Sequence, residues 1–307
     1  MGKMVSPGRL AAAVGISAAV TAGFGWPEVL LGWCLGLILA WMLGPVKARA
    51  PRSLLGRLLL LLGGVILAAA AATAAEQAFP QDGTFPMVSL GVMLLLYRAL
   101  LGTEQGNRGA ANVMGMLVLV MIAAAEAAGI GNIRWRNLRP VGFRVEQVLI
   151  TAAVGCVFLG TGWEKQSLGW QLGAAALCTG MSLVTRGILG PYLTESLELP
   201  MYRAMENIRV FGMTQRMEAF LSAAIVMGAF GLMLLAGGWI RRSGVIPKAG
   251  KGRIWGNAAA VIGIYLIEWW YRGAQTECRG WMKAVFWGIL AITALGIVIC
   301  EKNEKRC

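Results

Sequence analysis

From near residue 10 to Cys300 the chain alternates long apolar runs with short polar breaks. Runs of roughly 17–24 residues are each long enough to cross a ~30 Å hydrocarbon core. Lipid offers no partner to a backbone N–H or C=O, so runs of this length are helices rather than strands. They place spans at 10–26, 28–45, 54–75, 84–102, 110–130, 147–163, 168–189, 217–239, 255–271 and 281–300. About ten spans consume roughly 200 residues, leaving short loops, a stub at each end and longer connections near 131–146 and 190–215. The pattern predicts an all-α polytopic membrane protein, one transmembrane domain over 1–307, with halves at about 10–130 and 147–300. The first run follows Lys3 and Arg9 and reaches Val20-Thr21-Ala22, which imitates a cleaved secretory signal. It is read as a retained span, because no soluble segment follows it.

Composition sharpens this picture. With 57% hydrophobic and 14% charged residues, little material is left for a soluble domain. The formal charge of +13 lies between spans rather than in a patch interleaved with exposed aromatics, so it reads as a topology signal and not a nucleic-acid footprint. A cytoplasmic N-terminus puts Lys47, Arg49, Arg52 and Arg57 inside, together with Arg241, Arg242, Lys248, Lys251 and Arg253. Both termini are then cytoplasmic. The loop with Arg134, Arg136, Arg139 and Arg144 falls outside as an exception. Trp and Tyr gather near span ends, where amphipathic rings favour the headgroup level.

Catalytic chemistry finds no support in the residues. Histidine is absent, which excludes a His proton relay, a Ser-His-Asp triad and His-ligated metal. Four of the six cysteines, Cys34, Cys156, Cys178 and Cys300, lie in apolar runs without zinc-ligand spacing. No nucleophile–base pair or phosphate-binding loop is visible, so the sequence predicts neither an enzyme nor a bound metal or cofactor.

Spans 1 and 6 open the two halves, and glycine interrupts both: Gly15-Ile16-Ser17 and Thr21 to Pro27 in the first, Gly155 to Trp163 in the second. Corresponding Gly-interrupted spans point to a midplane site in inverted-repeat transporters. Unwinding there exposes backbone N–H groups for an anionic group such as a carboxylate. The candidate ligand residues are Gly15, Ser17, Thr21 and Gly23 with Gly155, Phe158, Gly160 and Thr161, the two hydroxyls of span 1 adding hydrogen bonds and Phe158 closing the pocket. The alternative is that these glycines only let helices pack closely.

Three charges are costly to place in lipid: Glu126 in span 5, Arg186 in span 7 and Glu268 in span 9. They line an outer vestibule or pair, as Glu126 with Arg186; alternatively Arg186 and Glu268, the latter beside Trp269, reach the interface.

The segment TFPMVSLGVMLLLYRALLGTEQGNRGAANV at 84–113, with Pro86, Tyr97, Gly102, Glu104 and Arg108, resembles the fourth span and following loop of the spore germinant-receptor B subunits, the endospore germination permeases. LPMYRAMENIRVFGMTQRMEAFLSAAIVMGAF at 199–230 resembles that family's stretch before its eighth span, where Arg216 and Glu218 stand at an arginine–acid pair and an extracellular helix precedes them. Asn137 to Val141 and Arg49-Ala50-Pro51 resemble the loops before span 6 and after span 2. The resemblance implies a fold of the amino acid–polyamine–organocation transporter (APC) superfamily, LeuT-like, with spans 1–5 and 6–10 as inverted repeats. It further implies a subunit in a spore inner membrane or cell membrane that senses a small nutrient such as an amino acid and signals to germinant-receptor A and C subunits. Gly102, Glu104 and Arg108 are then expected to organise the link between spans 4 and 5, and Arg216 and Glu218 the start of span 8. Span 6 lacks the acidic residue often seen there in the family, so no ligand identity is carried over.

Three readings stay open: a nutrient-sensing receptor subunit, a secondary transporter of amino acids or cations, and a degenerate permease that scaffolds a sporulation complex.

Overall fold

The computed structural model describes residues 17, 21–43, 53–78, 87–102, 104–139, 142–160, 168–197, 200–206, 208–210, 213–214, 217–245, 251–275, 288, 292 and 296. The described elements are helices apart from one small β-pair. In chain order they are α1 (Trp26–Leu43), α2 (Leu54–Ala78), α3 (Met87–Leu101), α4 (Glu104–Ile130), a 3₁₀ turn (Trp135–Leu138), α5 (Val145–Gly160), α6 (Leu168–Leu189), the short α7 (Pro191–Ser196) and α8 (Pro200–Glu206), then α9 (Met217–Ser243) and α10 (Lys251–Gln275). Between α8 and α9, β1 (Arg209–Val210) pairs antiparallel with β2 (Met213–Thr214), Arg209 opposite Thr214.

Spans 2 to 9 of the sequence reading each coincide with one of the long helices, with ends displaced by a few residues. Among the described residues, three helical stretches are long and apolar enough to cross a membrane: Gly109–Ile130, Gln171–Leu189 and Ala219–Ser243. Shorter apolar stretches lie in α1, α2, α3, α5 and α10. Of span 1, Ser17 and Thr21 are helical and a turn at Ala22–Phe24 follows. Span 10 lies outside the described residues except for Gly288, Ile292 and Gly296.

Helix packing follows from where small side chains lie. Ala68, Ala69, Ala71, Ala72 and Ala75 of α2 are buried, and among the described residues α9 packs extensively against this helix. At Gly64 even a methyl group would lie 3.1 Å from the Ala236 carbonyl, so the two backbones run in close approach. One apolar core lies among α2, α3 and α9, with Ile150 and Val154 of α5 and Ile264 of α10. The other joins α1, α4, α6 and α8 with the first turns of α9. Phe24, Ala74 and Val226 pack against both cores and weld them together.

The outward faces are apolar as well. Leu31, Leu35 and Ile38 of α1 and Val113, Leu117 and Val120 of α4 are exposed, as expected where the surroundings are acyl chains rather than water.

Long-range bonds sort the helix ends into two layers. One layer gathers the C-termini of α3 and α9, joined by Arg241 to the carbonyls of Ala99, Leu100 and Gly102. The opposite layer gathers the starts of α1 and α5, the end of α6 and the 131–145 connection. The helices therefore alternate in direction, which is the arrangement short loops demand.

Candidate functional site

The described chain turns at Ala22–Phe24 between the first two spans, so Gly23 and Gly25 lie in a connection where helix ends gather rather than in a break at mid-span. Thr21 donates its hydroxyl back to the Ser17 carbonyl at 2.8 Å, closing the last turn of the helical segment. Phe24 N–H donates to the Thr21 carbonyl at 2.9 Å, and α1 starts at Trp26, with Pro27 and Glu28 in its first turn. Proline lacks the N–H that a first turn leaves unpaired, and an acid there meets the positive end of the helix.

Three elements hold this turn. Ser182 of α6 donates to the Phe24 carbonyl at 2.8 Å. Gly25 N–H donates to Gln147 Oε1 of α5 at 2.9 Å. Trp26 Nε1 donates to the Leu138 carbonyl at 3.1 Å, tying the turn to the 3₁₀ segment. Gly23 lies against α7 and α8: a Cβ there would be 3.2 Å from Pro200 Cγ and 3.6 Å from the Thr194 carbonyl. Between α6 and α7, Gly190 adopts a φ of +83°, a left-handed value that favours glycine.

Around Gly25 the structure buries two opposite charges. Glu28 is 3% exposed and Arg186 4% exposed. A Cβ on Gly25 would overlap Glu28 Oε2 and come within 2.9 Å of Arg186 Nη1, so glycine is what leaves both heads room. Glu28 Oε1 accepts from the Arg144 N–H at 3.4 Å, at the start of α5. Its Oε2 has no partner among the described residues, and neither do Nε and Nη2 of Arg186 or Oγ1 of its neighbour Thr185. Leaving a buried carboxylate oxygen and guanidinium hydrogens unmade is expensive. Arg144 in turn pairs with Glu195 at 2.6 Å. On α8 the exposed Arg203 donates to Glu206 at 2.8 Å, which holds its guanidinium above its ordinary pKa.

The other candidate residues fall elsewhere. The interruption expected at Gly155–Gly160 is absent, because α5 is helical from Val145 through Gly160. Gly155 serves packing: a Cβ there would lie 3.3 Å from the Trp33 ring and 3.5 Å from Gly36, so its missing side chain lets α1 approach α5. Gly32 is pressed on the Val148 carbonyl in the same seam. Gly15 and Thr161 lie outside the described residues, as do the side chain of Phe158 and the surroundings of Gly160.

Nor do Glu126 and Arg186 pair. Glu126 lies against Gly180, whose Cβ position is 2.7 Å from its Oε2, and its Oε1 is buried without a partner among the described residues. Gly180 and Arg186 are six positions apart on α6, roughly 9 Å along the axis, and Arg186 Nη1 lies 2.9 Å from the Cβ position of Gly25 instead.

Gly102 does sit at the link between α3 and α4, its N–H bonded to the Arg98 carbonyl at 2.9 Å. The partners that organise the link are Arg241, and Asn107, which donates to the Ala99 carbonyl at 2.8 Å. The side chains of Glu104, Arg108, Glu218 and Glu268 and the whole of Arg216 lie outside the described residues. Sequence reasoning missed Glu28, Gln147, Ser182 and Arg241. For Glu28 a signal existed, since Pro27-Glu28 at the head of an apolar run marks a helix start.

These helices define a multi-helix membrane protein with buried opposite charges beside the turn between its first two spans. The sequence matches no protein-family model and no curated protein.

Proposed function

We propose that this chain is a membrane subunit that binds a small zwitterionic nutrient such as an amino acid, in the manner of the spore germinant-receptor B subunits whose segments it resembles. On this reading the helices belong to a ten-span APC arrangement with both termini cytoplasmic, and A and C subunits receive the signal. The observation that carries the proposal is the pair of unsatisfied, oppositely charged side chains beside the Ala22–Gly25 turn. A ligand carboxylate would take the open Nε and Nη2 of Arg186, and a ligand ammonium the open Oε2 of Glu28. The turn is held by hydrogen bonds from both α5 and α6. Ligand binding there would bias how those helices sit, provided its affinity differs between two arrangements.

The test is a thermal-shift series on the purified chain in nanodiscs, comparing amino acids with their decarboxylated amines and deaminated acids. Zwitterions should stabilise the protein, and each truncated analogue should lose most of that effect. Glu28→Gln should selectively weaken recognition of the ammonium. If zwitterions, amines and acids all leave the melting temperature unchanged, the receptor reading fails.

A transporter reading draws on Glu126, whose buried, unpartnered Oε1 could carry a proton across. Uptake into proteoliposomes that is lost in Glu126→Gln would favour it.

A further inference from the structure

We propose that residues 131–139, which follow α4, are a binding site for the headgroup of an anionic phospholipid. Arg134, Arg136 and Arg139 are all exposed, and none makes a side-chain hydrogen bond or ion pair with the described residues. Their backbone, by contrast, is fixed. Arg134 N–H and Asn137 Nδ2 both donate to the Gly187 carbonyl at 3.0 Å, Asn137 N–H donates to the Arg134 carbonyl at 2.8 Å, and Trp26 holds Leu138. A segment tied down at several points while presenting unpaired guanidinia is a preorganised cation platform. Guanidinium groups match phosphate oxygens in bidentate geometry and are less strongly hydrated than ammonium groups.

Two observations select a lipid as the occupant. The loop joins the end of α4 to the start of α5, and directly beyond it the outward walls carry exposed Ile130, Val145 and Leu149. Guanidinia at the end of an apolar outward wall would take a phosphate while its acyl chains lie along that wall. Around them Trp135 is 76% and Tyr192 80% exposed, and aromatic rings of this kind settle at the headgroup level. The nearby acids do not neutralise the platform: Glu195 is engaged by Arg144, which leaves Glu146 at the start of α5. This also gives the basic loop a purpose independent of topology, since it breaks the charge asymmetry that orients the other loops.

The test is native mass spectrometry of the full chain in mixed micelles of phosphatidylcholine and phosphatidylglycerol. The wild-type chain should retain phosphatidylglycerol preferentially, and R134Q/R136Q/R139Q should lose roughly 100-fold of that preference, at about fivefold for each surface guanidinium. R136Q alone should lose about fivefold, which keeps the test decisive if the triple variant is poorly folded. Added salt should weaken retention in the wild type. Equal retention of the two lipids, a preference unchanged in both variants, or competition by inorganic phosphate at matched concentration would each overturn the proposal. The last result would mean a free-anion site, and capture of an acidic peptide without lipid preference would mean a protein-docking face.

Discussion

Replacing Arg241 should loosen the whole layer of the bundle in which it sits. Its Nη2 lies 2.7 Å from the Ala99 carbonyl, 2.9 Å from that of Leu100 and 2.7 Å from that of Gly102. These are carbonyls at the end of α3, which the helix itself cannot satisfy. Two hydrogens on one nitrogen serve three acceptors, so one bond is shared. At about 1.5–3 kcal/mol per hydrogen bond to a charged group, two full bonds give an upper range of about 3–6 kcal/mol. Asn107 keeps the Ala99 carbonyl satisfied after the guanidinium is gone, and water reaches this half-buried end, so the expected cost of Arg241→Ala is about 2–4 kcal/mol. At roughly 2–4 °C per kcal/mol for chains of this size, melting should fall by about 5–15 °C. Arg241→Lys should recover part of the loss through its charge, whereas Arg241→Met, which keeps much of the volume, should recover little. Helix content followed by circular dichroism in detergent gives the readout. Equal melting of wild type and Arg241→Ala, or equal melting of the Lys and Met variants, would refute the reasoning.

Two further substitutions, with Gly91→Ala as a control, probe the candidate site's supports. In the α1–α5 seam a Cβ on Gly32 would lie 2.7 Å from the Val148 carbonyl, so Gly32→Ala should destabilise by about 1–3 kcal/mol through overpacking. Gly91→Ala, with nothing within 4 Å, should be neutral or slightly stabilising, and similar unfolding shifts for the two variants would contradict the packing argument. Ser182→Ala removes the bond to the Phe24 carbonyl and should cost about 1 kcal/mol. Its signature is faster amide exchange at residues 22–25 than elsewhere, and uniform protection would show that the turn is held without it.

The positions of the helices were legible in the sequence because hydrocarbon length and backbone satisfaction are local requirements. Each apolar run announces its own helix, and the turn at Ala22–Phe24 falls close to where the first predicted run gives way to the second. What only the tertiary structure decided was which polar groups meet. Glu28 reaches Arg144 across 116 positions, and Arg241 reaches Gly102 across 139. Gly155 and Gly23 look alike in sequence, yet one lies inside an unbroken helix against Trp33 and the other in a turn against Pro200. A glycine permits both close packing and non-helical dihedrals, and only the neighbouring helix settles which freedom is used. The same holds for Glu126 and Arg186. Apolar periodicity places both in the bundle, but a buried charge is governed by what faces it, and that depends on how helices far apart in the chain come together.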